Sequence, residues 1–373
     1  MCLEGLVLNV YLERLELTDF RNYKNAEITF PHTGVVVFRG RNGQGKTNLL
    51  EAIGYMTSLQ SFRTPTSTTL VRSGSETAIL RAFGHREQRE LLVEVEIAGT
   101  SGRNRTLVNK QPLRRSTDFT DVFASIVFAP DDLALVKAGP AMRRDYVDDI
   151  LSSGDRRVAA LCHDVDRVLK QRNTLLRQAG GRMSSDIANT LDVWDERFTN
   201  FGETLGDERE TLINTLRPLV ERAYIDISDA EHSTIDLKML TDWRVQDGNK
   251  GLAESLKASR NHDVVRGVTT VGPHRDELQL LINGLPARTH ASQGEQRTLA
   301  LALRLAAYRH LASVLDDAPV LLLDDVFSEL DDGRSRKLLS YLTGEQIFLT
   351  TATDLPSGVE WAAMFDIDGG TIR

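Results

Sequence analysis

The chain has 373 residues, 41% of them apolar and 26% charged, with a net charge of −8. That length exceeds one ordinary core and predicts two lobes, while the acidic balance excludes a protein that coats nucleic acid with its whole surface and leaves room only for a local basic face. No apolar run reaches the ~20 residues of a membrane span, the first ten residues lack the basic residue of a signal peptide, and the two isolated cysteines, Cys2 and Cys162, fit a reducing compartment; the expected location is cytoplasmic.

The N-terminal third reads mostly as strands. Residues 10–17 alternate, 28–30 follow a polar turn, and 34–40 form a β-branched run that ends in glycine. From Asn48 the period turns helical, with Leu49, Leu50, Ile53 and Met56 on one stripe. Further strands are expected over 78–85, 91–98, 106–108 and 125–128. Pro140 opens a helical stretch. Two stripes follow: Leu161, Val165, Val168, Arg172, Leu175 and Ala179, then Leu191, Trp194, Phe198, Phe201, Leu205, Glu208 and Leu212. The Gly180 to Ser185 turn between them predicts an antiparallel pair of helices of about 25 to 30 residues, roughly 40 Å long. The pair reads equally as an ordinary helical subdomain or as a short projecting arm. The last third alternates again: strand 278–282, an Asn283-Gly284 turn, helix 294–313, strand 320–323, helix 334–342 and strand 347–351. The expected division is 1–139 and 266–373 in one α/β lobe, with 140–265 inserted as a helical lobe.

Gly40-Arg41-Asn42-Gly43-Gln44-Gly45-Lys46-Thr47 fills the P-loop pattern between a strand and a helix. Its glycines let the backbone turn successive N–H groups toward phosphate oxygens, and the helix start adds partial positive charge. Lys46 is placed to reach the β- and γ-phosphates of ATP and Thr47 to ligate Mg²⁺. The apolar strand 320–323 ends in Asp324 and Asp325. Read as a strand beside the P-loop strand, it sets Asp324 near Mg²⁺ and Asp325 near an attacking water.

Ser292-Gln293-Gly294-Glu295-Gln296 opens a long helix and, alone, is a capped helix start. With the P-loop before it and the acidic strand after it, the set resembles the ABC-type ATPases. That resemblance implies an ABC-type P-loop ATPase head, with Ser292 and Gly294 touching the γ-phosphate held by a second copy. Ser328-Glu329-Leu330-Asp331 resembles the family's D-loop. Two features depart from the pattern: Thr350 and Thr351 stand where transporters carry a histidine, and no clear Q-loop glutamine follows the P-loop helix. The Q-loop position falls on residues 128–132, which bring acids.

More narrowly, the chain resembles the bacterial recombination-repair RecF family. The resemblance rests on residues 17–23, 43–53, 128–133 with Val136-Lys137, Arg143-Arg144, Gly272-Pro273-His274-Arg275-Asp276 and 323–331. The departures are a ten-residue N-terminal extension and Asp132 in place of Glu. The resemblance implies a DNA-binding ATPase that forms an ATP-dependent homodimer at gaps, works with RecR and RecO, and helps place the RecA recombinase. An ATP-driving transporter subunit and a P-loop small-molecule kinase are the alternatives. Arg103, Arg105, Lys110, Arg114 and Arg115 lie in a stretch free of acids between Glu96 and Asp118, a candidate phosphate-contacting face for DNA; a solvated loop is the alternative. Arg63, Arg81 and Arg86 extend it in this reading. His274 and Arg275 read as a catalytic pair or as a structural turn.

Overall fold

The computed structural model describes residues 10–64, 66–86, 89–99, 102–113, 119, 125–228, 230, 232–244, 250–315, 318–340, 346–355 and 359–373. In chain order the elements are β1 (Val10–Phe20), β2 (Tyr23–Thr29), β3 (Gly34–Arg39), α1 (Lys46–Ser58), β4 (Thr77–Arg86), β5 (Arg89–Ala98), β6 (Arg105–Val108), β7 (Gln111–Pro112) and β8 (Ser125–Phe128). Then come α2 (Leu133–Lys137), α3 (Pro140–Gly154), α4 (Arg156–Gln178), α5 (Ser185–Ser228), β9 (Ile235–Leu240), α6 (Leu252–Arg266), β10 (Glu277–Ile282), β11 (Leu285–Pro286) and α7 (Ala287–His290). The chain closes with α8 (Gln293–Leu315), β12 (Val320–Asp324), α9 (Asp332–Ser340), β13 (Gln346–Thr351), β14 (Ala363–Asp368) and β15 (Thr371–Ile372).

Two compact units result. The first holds Met1–Asp132, Ile225–Ala230 and Leu301–Arg373; the second holds Leu133–Tyr224 and Glu231–Ala300. The first unit carries two sheets. One has the order β2-β1-β4-β5-β6-β7 and is antiparallel throughout. Its strands β4 and β5 alternate buried and open positions, the pattern of a sheet with one covered face. The other has the order β15-β14-β3-β13-β12-β8, parallel from β14 to β8. Its central strands β12 and β13 are buried at every position, as a parallel sheet covered on both faces requires. Helix α1 packs against β4 of the first sheet and β8, β12 and β13 of the second. Leu49, Leu50, Ile53 and Met56 are therefore fully buried, and so is most of the helix around them.

The strand order corrects one expectation. The acidic strand β12 does not lie beside the P-loop strand β3; β13 is inserted between them. Leu323 and Asp324 sit level with Leu349 and Thr350 of β13, which in turn sit level with Val37 and Phe38 of β3.

The second unit differs from its expected limits. Residues 266–300 belong to it rather than to the outer lobe. The reason is pairing: β10 runs antiparallel to β9, Ile282 opposite Ile235, and turns through Asn283 and Gly284 into β11. Both turn residues have positive φ, which the Asn-Gly pair accommodates. The helical pair exists as α4, with 23 residues, and α5, with 44. Val165 and Val168 meet Phe198 and Leu205, while Leu176 meets Leu191, so the two run antiparallel. Helix α6 packs along both through Leu252, Leu256 and Val264. The pair is thus part of a helical subdomain rather than a bare arm. Arg172, the one charge on the α4 stripe, is fully buried and donates to Asp195 at 2.7 Å, Asp263 at 2.8 Å and Thr269 at 2.8 Å.

Candidate functional site

The P-loop lies between β3 and α1, and α1 begins at Lys46. Gly43 and Gly45 have φ of 80° and 116°, values that L side chains avoid. At Gly45 a Cβ would also lie 2.6 Å from Asn22 Nδ2. That close approach is functional support: Asn22 Nδ2 donates to Gln44 O at 3.0 Å, Asn22 Oδ1 accepts from Asn48 Nδ2 at 2.8 Å, and the buried Tyr23 hydroxyl donates to Gly45 O at 3.0 Å. From the other side Gly370 N donates to Gln44 O and Gly369 N to Gln44 Oε1. The turn from β1 to β2 and the turn from β14 to β15 together clamp the loop.

Lys46 is 6% exposed, and its Nζ donates to Gly40 O at 2.7 Å and Arg41 O at 3.0 Å. Burial pushes its pKa down, opposed by the charges of Asp325 and Asp324. Thr47 Oγ1 donates to Asp324 Oδ1 at 2.8 Å. The Thr350 hydroxyl donates to the same oxygen at 2.8 Å and accepts the backbone N–H of Asp325 at 2.9 Å. Asp325 sits at φ 49°, a conformation an L residue adopts at a cost, and this bond helps hold it. Burial pushes the Asp324 carboxyl up; the hydrogen bonds from Thr350 and Thr47 and the nearby Arg63 charge pull it back down.

One side of this cluster offers glycine-freed backbone, a helix start and an ammonium, the chemistry of a polyphosphate cradle. The other offers a hydroxyl and a carboxylate in contact, the hard oxygen ligands that Mg²⁺ takes while keeping other positions for phosphate and water. The residues present therefore fit both groups.

Behind the cradle, Glu51 is fully buried on α1. Arg21 grips it with Nε at 2.9 Å and Nη2 at 2.8 Å, and Arg63 approaches at 3.5 Å while donating to Asn48 Oδ1 at 2.8 Å. Arg63 therefore lies beside the P-loop helix.

The comparisons with known proteins converge. The model of the family RecF/RecN/SMC N terminal domain matches residues 11–355. The DNA replication and repair protein RecF of Acidothermus cellulolyticus is 42% identical over 93% of this chain and 95% of its own length. The same protein of Streptomyces avermitilis is 39% identical over 98% of this chain and all of its own. The chain belongs to the RecF family. A solved structure of the recombination mediator protein RecF with ATP, in the RecFOR pathway, superimposes with a TM-score of 0.91 at 30% identity, over 99% of both chains. An Smc head domain derived from Pyrococcus furiosus matches at TM-score 0.56 and 15% identity, over 98% of this chain and 95% of its own, and shares the fold. RecF membership replaces the transporter-subunit and kinase alternatives.

The segments that carry the RecF resemblance can now be placed. The Asp132 carboxylate accepts Ala129 N at 2.9 Å and Arg304 Nη2 at 2.7 Å, fastening the turn after β8 to α8. Arg143 donates to Glu277 Oε1 at 2.7 Å and to Leu135 O and Ala138 O. The Gly272–Asp276 segment is an anchor of the second unit. Asp276 accepts from Trp243 Nε1 at 2.8 Å and Arg209 Nη1 at 3.2 Å, and its backbone oxygen accepts from Arg144 at 2.7 Å. His274 Nε2 is 3.0 Å from Thr269 O and its ring packs on Phe198. Burial pushes His274 down to about 4 and Asp276 up to about 6. These residues hold β10, α3 and α5 together, which supports the structural-turn alternative.

At the start of α8, Ser292 and Glu295 form a reciprocal capping box. Ser292 N donates to Glu295 Oε2 at 2.7 Å, and Glu295 N to Ser292 Oγ at 3.3 Å. Ser292 is exposed and Gly294 half-exposed, both in the second unit. Arg103, Arg105 and Lys110 are exposed on or next to β6, with no ion-pair partner among the described residues, and Arg105 stands across from Glu96. Arg114 and Arg115 lie outside the described residues, as do the first nine. Arg81 is paired with Glu16 and Glu94 and adds no free charge to that face. Among the described residues no helix is long and apolar enough to cross a membrane.

Sequence reasoning missed Asn22, Tyr23, Glu51 and the bridging role of Thr350. Asn22, Tyr23 and Glu51 had a signal, since they fall inside segments that carry the family resemblance, and Thr350 had one in standing where transporters carry a histidine.

Proposed function

We propose that this chain binds ATP with Mg²⁺, closes as an ATP-dependent homodimer on DNA, and acts in recombinational repair. The observation that carries the reading is the contact of Thr47 with Asp324 beneath a clamped P-loop, in a chain that belongs to the RecF family. The loop from Gly40 to Gly45 and Lys46 hold the triphosphate. Thr47 and Asp324 hold Mg²⁺, which neutralises phosphate charge when bound. Asp325, fixed by Thr350, orients the attacking water. Ser292 and Gly294, at the helix start of one copy, cap the γ-phosphate on the other. Only the closed pair makes these contacts, so ATP shifts the population toward it. Duplex or gapped DNA is held through backbone phosphates by Arg103, Arg105, Lys110, Arg114 and Arg115, without base reading. RecR and RecO are the expected partners, and loading of RecA is the expected outcome.

The test is light scattering after gel filtration, with and without ATP, on the natural chain and on Ser292→Arg. The natural chain should double its mass with ATP, and the variant should stay single while still binding nucleotide. Pairing by Ser292→Arg as complete as in the natural chain rejects the shared site.

A further inference from the structure

Helices α4 and α5 leave an open pocket of about 350 Å³ on the second unit, lined by Arg167, Val168, Gln171, Trp194, Arg197 and Phe201. Nothing in the nucleotide or DNA reading uses it. Its floor is apolar: Val168 is buried, and Trp194 and Phe201 are half-buried, with their inner edges against the Val165, Phe198 and Leu205 core. Its rim is cationic. Arg197 lies 5.5 Å from the Trp194 ring centroid and has no carboxylate partner among the described residues. Arg167 is 60% exposed and shared with Asp164 at 2.7 Å. The Trp194 indole N–H has no hydrogen-bond partner among the described residues. Among those residues, no carboxylate lines the pocket.

We infer that this pocket docks an acidic peptide segment of a partner protein, one large apolar side chain seated on Trp194 and Phe201 and an adjacent carboxylate taken by Arg197. Half-buried aromatic rings beside an unpaired guanidinium are the composition of binding hot spots. The guanidinium supplies a fork for a carboxylate, and the free indole N–H a second donor. The volume is at the low end for ligand pockets and accepts one side chain rather than a folded surface. Charge favours a peptide over a nucleic-acid strand. A base also stacks on tryptophan, but the flanking exposed positions carry Asp166, Glu196 and Glu203, which repel a continuous polyanion. A short acidic segment puts its charge only where the arginines are.

The inference does not rest on the ATP reading, and its test is independent of nucleotide. Fluorescence anisotropy on the full chain at low salt uses three labelled ligands: a short glycine-serine peptide with one central phenylalanine and one adjacent aspartate, the same peptide with serine in place of the phenylalanine, and a short oligothymidylate. The phenylalanine peptide should bind at least about tenfold tighter than the serine peptide. Arg197→Glu and Trp194→Ala should each weaken it by about tenfold or more, with ATP affinity unchanged. Arg197 is exposed, so its variant keeps the fold even where Trp194→Ala does not. Absent peptide binding, binding that Arg197→Glu leaves unaltered, or an oligothymidylate that is weakened equally by both variants overturns the assignment.

Discussion

The Thr350 hydroxyl donates to Asp324 Oδ1 at 2.8 Å and accepts the Asp325 N–H at 2.9 Å, so one side chain sets both acidic residues of the site. Valine has the same shape without the hydroxyl. Thr350→Val removes a hydrogen bond from a buried carboxylate and leaves a strained amide without its acceptor. The cost of such unmade bonds is about 1–3 kcal/mol. ATP turnover should fall by about tenfold or more while nucleotide affinity changes little, and Thr350→Ser should restore most of the rate. Equal turnover in the valine and natural chains would show that Asp324 and Asp325 hold their places without this bridge.

The clamp on the P-loop makes a second expectation. Asn22 bonds Gln44 of the loop and Asn48 of α1 at once. Asn22→Ala should weaken nucleotide binding by about five- to tenfold, the loss of roughly 1 kcal/mol of loop ordering. Gly45→Ala should abolish binding, because the new Cβ meets Asn22 at 2.6 Å and φ is 116°. Shortening Asn22 in the same chain relieves the clash but not the φ, so the double variant should stay inactive. Titration with a fluorescent ATP analogue separates these outcomes.

How much of this was legible in the sequence follows from how each part is encoded. The P-loop and the β12 acids are contiguous, and their chemistry survives translation into letters. Asn22 and Thr350 reach the site from the β1–β2 turn and from strand β13, distant in the chain, and a threonine standing where transporters carry a histidine does not disclose that its hydroxyl bonds both acids. The insertion of β13 between β3 and β12 was hidden for a related reason: alternating strands and helices fix a parallel sheet but not its order. The boundary at 266 was misplaced because β10 pairs with β9 by register, which periodicity does not record. Arg172 broke an apolar stripe, yet its partners Asp195 and Asp263 lie on two other helices.

His274 and Asp276 predict an opposed pair of pH responses in the second unit. Asp276, at about 6 in the folded chain against an ordinary 3.8, favours folding when protonated; that contribution is lost as pH rises from about 4 to about 6. His274, at about 4 against 6.5, must stay neutral; the unfolded chain binds its proton more tightly, so stability rises with pH over about 4 to 6.5. The two slopes largely cancel in the natural chain. His274→Asn removes one of them, and its unfolding midpoint should then fall, relative to the natural chain, as pH rises from about 4 to about 6. Calorimetry across that window checks the sign; a midpoint that rises relative to the natural chain contradicts the buried, neutral His274.

The basic edge at β6 is tested by salt. Arg103, Arg105 and Lys110 have no ion-pair partners among the described residues, so their charge is available to phosphates. Each neutralised phosphate adds about 0.9 to the slope of log K against log salt on duplex DNA. Replacing the three with alanine should weaken duplex binding at low salt and flatten that slope by about 0.9 for every phosphate left without its cation. The weakening should be similar on any sequence, since backbone contacts carry no base information. Adding Arg114→Ala and Arg115→Ala should flatten it further. ATP affinity should not move, because these charges lie far along the chain from the P-loop and touch none of its supports. An unchanged slope would shift DNA binding to another face of the molecule and leave the nucleotide site as described.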